Sequence, residues 1–159
     1  MFTQEEERRL AAARAVDEIE DGMFVGLGTG STTAYAIKSL SDRIRQGLRI
    51  TAVATSRATE MLARRLAVPL VPFEQFSSID LTIDGADEID CHFQAIKGGG
   101  GALLREKVVA AASSRMIVIV DASKVVQRLG VDLPGKSGEH QLRNQEVFCK
   151  RCPCHTVMA

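Results

Sequence analysis

Apolar positions along this chain recur at two different periods. Leu10, Ala13, Val16 and Ile19 follow a helical spacing, with Thr3 and Glu6 forming a capping-box pattern ahead of them. Asp21-Gly22 is placed to end that helix, since glycine adopts the left-handed conformation freely. Phe24-Val25-Gly26-Leu27 reads as a short buried strand, and Ala34, Ile37 and Leu40 give the next segment an apolar helical stripe. Leu48 to Ala54 predicts a second strand, after which Thr55-Ser56 caps a helix built on Ala58, Met61, Leu62 and Leu66. Leu70-Val71, set between prolines, and Leu81 to Ile83 are further brief strands. Leu103, Leu104, Val108, Ala111 and Ala112 predict a helical stripe, Met116 to Val120 a fully buried strand, and Asp121-Ala122-Ser123-Lys124 the start of another helix.

Strands that alternate with helices and are continuously apolar belong to the α/β class. They predict a Rossmann-like, mostly parallel sheet with helices on both faces. Ligands bind such sheets at the carboxyl ends of the strands. GTGSTT (28–33), TSRAT (55–59), DGADE (84–88) and DASK (121–124) all fall at such ends, so they are expected to meet on one rim. The pattern supports one α/β domain over residues 1–134. After Gly130 the apolar periodicity fades, and 135–159 reads as a divergent, cysteine-rich tail, either a short ordered piece or a segment without stable structure.

Composition narrows the function classes. Twenty basic and twenty acidic residues cancel, so no global field favours nucleic acid or an anionic membrane. Aromatics make up 4% and tryptophan is absent, which argues against base-stacking or carbohydrate-stacking platforms. No run approaches the ~18 apolar residues of a membrane span, and the charged N-terminus lacks a signal-peptide core. The expectation is a cytoplasmic protein with neither nucleic-acid nor membrane partners. Of the four cysteines, Cys149, Cys152 and Cys154 crowd the end beside His155, unlike a secreted disulfide framework. Four soft ligands over seven residues, with no paired second half, are a weak zinc signal. Cys91 is expected to be a small apolar filler, and His92 a surface residue.

The chemistry concentrates between Leu81 and Val109. Asp84-Gly85-Ala86-Asp87-Glu88 sets two carboxylates three residues apart across a glycine turn, suited to hydrogen-bonding sugar hydroxyls and relaying protons. Taken alone, the same residues read first as an ordinary Asp-rich turn with a helix cap. Lys97 precedes the glycines Gly98, Gly99, Gly100 and Gly101, a stretch poor for helix or strand. It makes sense where backbone N–H groups must approach a ligand and a developing oxyanion. Gly28-Thr29-Gly30-Ser31-Thr32, between a strand and a helix, suits an anion, although a plain helix cap reads the same way. Glu106 lies about 7–8 Å along the next helix from the glycines. It is either a base toward a substrate held there or an exposed helical glutamate.

Together these segments resemble the type A ribose-5-phosphate isomerases. The matching pieces are GLGTGSTT (26–33), TSRAT (55–59), DGADEID (84–90), KGGGGALLREK (97–107) and IVDASK (119–124), in the family's order and spacing. The resemblance implies interconversion of ribose 5-phosphate and ribulose 5-phosphate through a cis-enediolate, in the non-oxidative pentose phosphate pathway. It implies a phosphosugar as the small-molecule partner, a homodimer, and no metal or organic cofactor. It gives Glu106 the role of base, Asp84 and Asp87 the handling of ring opening and hydroxyl protons, and Lys97 with the glycine loop the enediolate oxygen. Thr29, Gly30, Ser31, Thr32, Gly85, Ala86, Gly98, Gly99, Gly100 and Lys124 match substrate-binding positions.

Two departures stand out. Arg8 and Arg9 occupy the region where relatives often carry a substrate-binding lysine. Family chains also continue after the DASK segment into a small α+β subdomain, which this sequence is expected to lack from Gly135 onward. A phosphosugar-binding protein without catalysis, and an inactive shortened isomerase, are therefore the competing expectations.

Overall fold

The computed structural model describes residues 2–131 and the backbone of two short strands within 139–148. In chain order the elements are α1 (Gln4–Asp17), β1 (Phe24–Leu27), α2 (Ser31–Arg45), β2 (Thr51–Ala54), α3 (Arg57–Arg65), β3 (Ile79–Gly85), β4 (Glu88–Ile89), β5 (Ala95–Ile96), α4 (Leu103–Ala111), β6 (Ser113–Ile119), β7 (Glu139–His140) and β8 (Gln145–Phe148). Five strands form a parallel sheet in the order β2-β1-β3-β6-β8, and β4-β5-β7 form a small antiparallel one. Cys149, Cys152, Cys154 and His155 lie outside the described residues. No described helix is long and apolar enough to cross a membrane.

Strand alternation decides what each face of the sheet holds. Val25, Leu27, Leu81, Ile83, Ile117 and Ile119 point one way, onto Ala12, Ala15 and Val16 of α1 and Ile37 and Leu40 of α2. Thr82 and Asp84 point the other way, toward α4. Gly26 makes room there, since a Cβ on it would lie 2.0 Å from Thr82 Oγ1 and 2.8 Å from Val109. Thr82 is buried but satisfied: its hydroxyl is 2.7 Å from that of Ser113, which donates to the Val109 carbonyl. Helices thus cover both faces, as the continuous apolar strands predict.

Several local expectations need correction. The capping box on Thr3 and Glu6 forms, but α1 buries Ala11, Ala12, Ala15 and Val16, and Leu10 is exposed. Small alanines let α1 sit close to α2, and a leucine has no room on that face. The helix also ends at Asp17, before Gly22, where Arg43 of α2 takes the Val16 and Ile19 carbonyls. On α4 the expected stripe is turned outward. Leu104 is 77% exposed and Val108 is exposed as well, while Glu106 and Val109 face the sheet. The space above Gly26 accepts Val109, and that contact fixes the helix rotation against its hydrophobicity. DASK forms only a 3-10 turn, Ala122–Lys124, because Val125 and Val126 are drawn into pairing with Ile89. Leu70 makes a single bridge to Ala52, since the flanking prolines cannot donate to a longer ladder. Cys91 is exposed at the β4–β5 turn and fills no core, and His92 is exposed beside it.

Candidate active site

Parallel register places the carboxyl ends of β1, β2, β3 and β6 on one rim. Asp84, at the end of β3, is 1% exposed and lies beneath the turn after β1. Gly28 permits that approach, since a Cβ there would be 2.0 Å from Asp84 Oδ1. The same Oδ1 accepts the N–H of Thr29 at 3.0 Å and that of Gly85 at 2.7 Å, and Lys97 Nζ lies 3.1 Å away.

Lys97 links the acids. Its Nζ is 3.0 Å from Glu106 Oε1 and 3.4 Å from the Thr29 carbonyl. With Asp84, these three acceptors match the three protons of an ammonium. Burial disfavours the cation, but the two carboxylates outweigh it and hold the Lys97 pKa above its ordinary value. Burial, opposed by Lys97 and reinforced by the nearby Glu106, pushes the Asp84 pKa up to about 7. Near neutral pH such a carboxyl can both give and take a proton. Glu106 is 7% exposed, and its Oε2 is buried with no hydrogen-bond partner. Among the described residues it is the only carboxylate oxygen that is fully buried without a hydrogen bond.

Asp87 is turned elsewhere. Its Oδ2 accepts the Gly99 N–H at 2.7 Å and anchors the glycine loop. Gly98 and Gly101 take φ of 113° and 78°, values that side chains rarely adopt. The loop tip reaches back to the first turn, with Gly100 beside the Thr29 methyl group. Gly30 begins α2 at φ 130° with no capping side chain, so the first-turn N–H groups of Ser31 and Thr32 are open to an anion. Gly85 and Ala86 are half-buried between these parts.

Lys124 stands on the same rim in the 3-10 turn after β6, and α1 braces that turn. Gln4 and Arg8 donate to Asp121 at 3.2 and 2.7 Å, while Glu7 accepts the Ala122 N–H at 3.0 Å. Burial would raise the Asp121 pKa, but hydrogen bonds from Ser123, Arg8 and Gln4 outweigh it and hold it at about 2. Arg8, in the region where the lysine was expected, is therefore paired within the fold.

Sequence reasoning missed three supporting residues. Thr55 and Thr59 are buried and hydrogen-bonded to the turn that carries Thr29. Glu88 is buried and accepts the Gly130 N–H at 2.7 Å, tying the chain after DASK to the β4–β5 hairpin. Nothing in their spacing announces these partners, although Thr55 directly follows β2 and Glu88 begins β4. An open cleft of about 330 Å³, lined by Thr55, Ser56, Arg57, Gly100, Gly101 and Arg105 among others, lies beside the glycine loop.

The model of the family described as ribose 5-phosphate isomerase A (phosphoriboisomerase A) matches residues 51–135. A curated ribose-5-phosphate isomerase A from Sphingopyxis alaskensis is 73% identical over 124 residues, covering 78% of this chain and 54% of that protein. A D-ribose-5-phosphate isomerase solved in complex with phospho-erythronic acid superposes with a TM-score of 0.78 at 42% identity, covering 80% of this chain and 57% of that one. The ribose 5 phosphate isomerase A of Neisseria gonorrhoeae gives a TM-score of 0.76 at 44% identity, over 82% and 57% of the two chains. The chain thus spans just over half the length of these relatives.

Proposed function

The chain belongs to the ribose 5-phosphate isomerase A family, and we propose that its rim site interconverts ribose 5-phosphate and ribulose 5-phosphate. The observation that carries this reading is the free, buried Oε2 of Glu106 beside the Lys97–Asp84 pair. A protein that only binds a phosphosugar needs the anion cradle but not an unpartnered carboxylate oxygen in the same pocket.

In the proposed reaction Glu106 removes the C2 proton of the open-chain aldose and returns it at C1 through a cis-enediolate. The Lys97 ammonium and the N–H groups of Gly98 and Gly100 stabilise the enediolate oxygen, while the Gly99 N–H stays on Asp87 and holds the loop. Asp84, poised near neutrality, exchanges protons with the sugar oxygens during ring opening and carries the O2 hydroxyl proton to O1 during isomerisation, and Asp87 acts with it while holding the loop. Thr29, Gly30, Ser31 and Thr32, with Gly85, Ala86 and Lys124, receive the phosphosugar. The solved relative bound to phospho-erythronic acid, a four-carbon phosphorylated acid, supports a substrate of this class. A homodimer is proposed from the family resemblance, and the setting proposed is the cytoplasm.

Turnover of ribose 5-phosphate by the purified chain, with its size measured by light scattering, tests the reading. Ribulose 5-phosphate formation from a defined dimer is expected. Binding of ribose 5-phosphate without turnover would instead identify a non-catalytic binder, and aggregation with neither would identify an inactive chain.

A further inference from the structure

The TSRAT segment holds no side chain of the carboxylate–lysine cluster, yet two of its hydroxyls are buried and directed at the turn after β1. Thr55 is 0% and Thr59 5% exposed. Thr59 Oγ1 donates to the Gly28 carbonyl at 2.8 Å, and Thr55 Oγ1 donates to the Leu27 carbonyl at 3.0 Å. Ser56, the cap of α3, donates to Thr59 Oγ1 at 3.0 Å and accepts the Thr59 N–H at 3.1 Å. The Thr29 hydroxyl lies 2.8 Å from Thr55 Oγ1 and 3.3 Å from Thr59 Oγ1.

Counting protons favours one direction for this network. A threonine hydroxyl carries one proton, and those of Thr55 and Thr59 are already committed to carbonyls. The arrangement that satisfies both carbonyls sends the Thr29 proton to Thr55, the nearer of its two neighbours. Thr29 Oγ1 is left as an acceptor, suited to a sugar hydroxyl and not to a phosphate oxygen. Its peptide is also fixed, and that peptide serves the cluster from both sides. The Thr29 N–H reaches Asp84 Oδ1 at 3.0 Å, and its carbonyl lies 3.4 Å from Lys97 Nζ.

We infer that Thr55 and Thr59 are positioning residues for the Asp84–Lys97 pair, acting through the peptide and hydroxyl of Thr29. This rests on the isomerase reading for its kinetic consequence, but not for its structural one. Removing the Thr59 hydroxyl leaves the buried Gly28 carbonyl unpaired and frees the turn to shift. A displaced Thr29 N–H weakens support for the Asp84 carboxylate, whose pKa must then rise.

The test uses Thr59→Val, Thr55→Val and Thr59→Ser in the full chain, with two readouts. Steady-state kinetics on ribose 5-phosphate should show kcat down about tenfold in the valine variants, with KM little changed, as expected when reacting groups are slightly misplaced. Thr59→Ser should restore kcat. Carbon-13 carboxyl titration, with Asp84→Asn to assign the signal, should show the Asp84 midpoint moving upward in the valine variants and returning in the serine variant. Wild-type kcat and an unmoved midpoint in both valine variants would overturn the inference, as would a serine variant as impaired as the valine one. If the wild-type chain shows no turnover, the isomerase reading fails and the titration alone decides this one.

Discussion

Lys97 Nζ holds Glu106 Oε1 at 3.0 Å and leaves Glu106 Oε2 buried with no donor. Half of the carboxylate is fixed by an ion pair, and the other half is kept free in a place where a polar atom is costly to leave unpaired. That asymmetry orients the group and leaves one oxygen without a donor, as the proposed base role requires.

Glu106→Gln tests the base. The amide oxygen can still accept from Lys97, so the fold and the affinity for ribose 5-phosphate should hold, whereas kcat should fall by about 10²–10⁴-fold. Kinetics paired with calorimetric binding measure both. Near-normal turnover would remove Glu106 from the base role.

Lys97→Met would leave Asp84 and Glu106 facing each other without their shared cation. Breaking a buried ion pair from one side costs on the order of 3–5 kcal/mol, and urea unfolding should show a loss of that size at neutral pH. An unchanged midpoint would mean that the cluster is more open to water than its burial indicates.

Much of this was legible in the sequence, because glycine and strand-end motifs have few uses. The parallel sheet, the single rim and the capping box on Thr3 followed from period and spacing. The rotation of α4 did not. Leu104 and Val108 define its apolar stripe by composition, yet Val109 sits over the space left by Gly26 and brings Glu106 inward. A helix read alone cannot reveal that a glycine in a distant strand has made room for it. The β4–β5 hairpin is hidden for a related reason, since the end of DGADE reads as a turn until Ala95–Ile96 pairs with Glu88–Ile89. The separate tasks of Asp84 and Asp87 also needed coordinates, because spacing cannot say which acid faces the lysine and which holds Gly99.

The titration of Asp84 predicts a pH dependence of stability. Its folded pKa of about 7 lies above the ordinary aspartate value of 3.8, so the fold favours the protonated form. The resulting stabilisation is fully present below pH 3.8 and declines as pH rises toward and through 7. Thermal unfolding of the wild type should therefore show Tm falling between pH 5 and about 8. Asp84→Asn, which cannot ionise, should flatten that slope. An equally steep slope in the variant would assign the effect to another group.

Asp121 works in the opposite direction at acid pH. Its folded pKa of about 2 lies below 3.8, so the stabilisation is present above pH 3.8 and is lost as pH falls through 2. The stabilisation is shared among the Ser123, Arg8 and Gln4 bonds. Arg8→Met should be less stable than the wild type at pH 7, and the gap should narrow near pH 2 where both chains protonate Asp121. Urea midpoints across that range measure it. A gap that stays constant would show that Arg8 acts through packing and not through its charge.

Gly28→Ala joins the fold to the chemistry in one methyl group. An added Cβ would lie 2.0 Å from Asp84 Oδ1 and 2.1 Å from Asp84 Cγ, so either the turn or the acid must move. The turn is held by the Thr59 hydroxyl on the Gly28 carbonyl and by the Gly28 N–H on the Ile83 carbonyl, which leaves Asp84 as the group to be displaced. Displacement breaks the contacts of its Oδ1 with Thr29, Gly85 and Lys97. The variant should lose roughly 1–3 kcal/mol of stability, as overpacked sites do, and its kcat should fall by about 10²-fold or more. Gly22→Ala is the control, since its Cβ would meet nothing within 4 Å although its φ of 86° is also unfavourable. It should share part of the stability loss and keep its turnover. Equal kinetic damage in both variants would trace the effect to backbone strain and not to the crowding of Asp84.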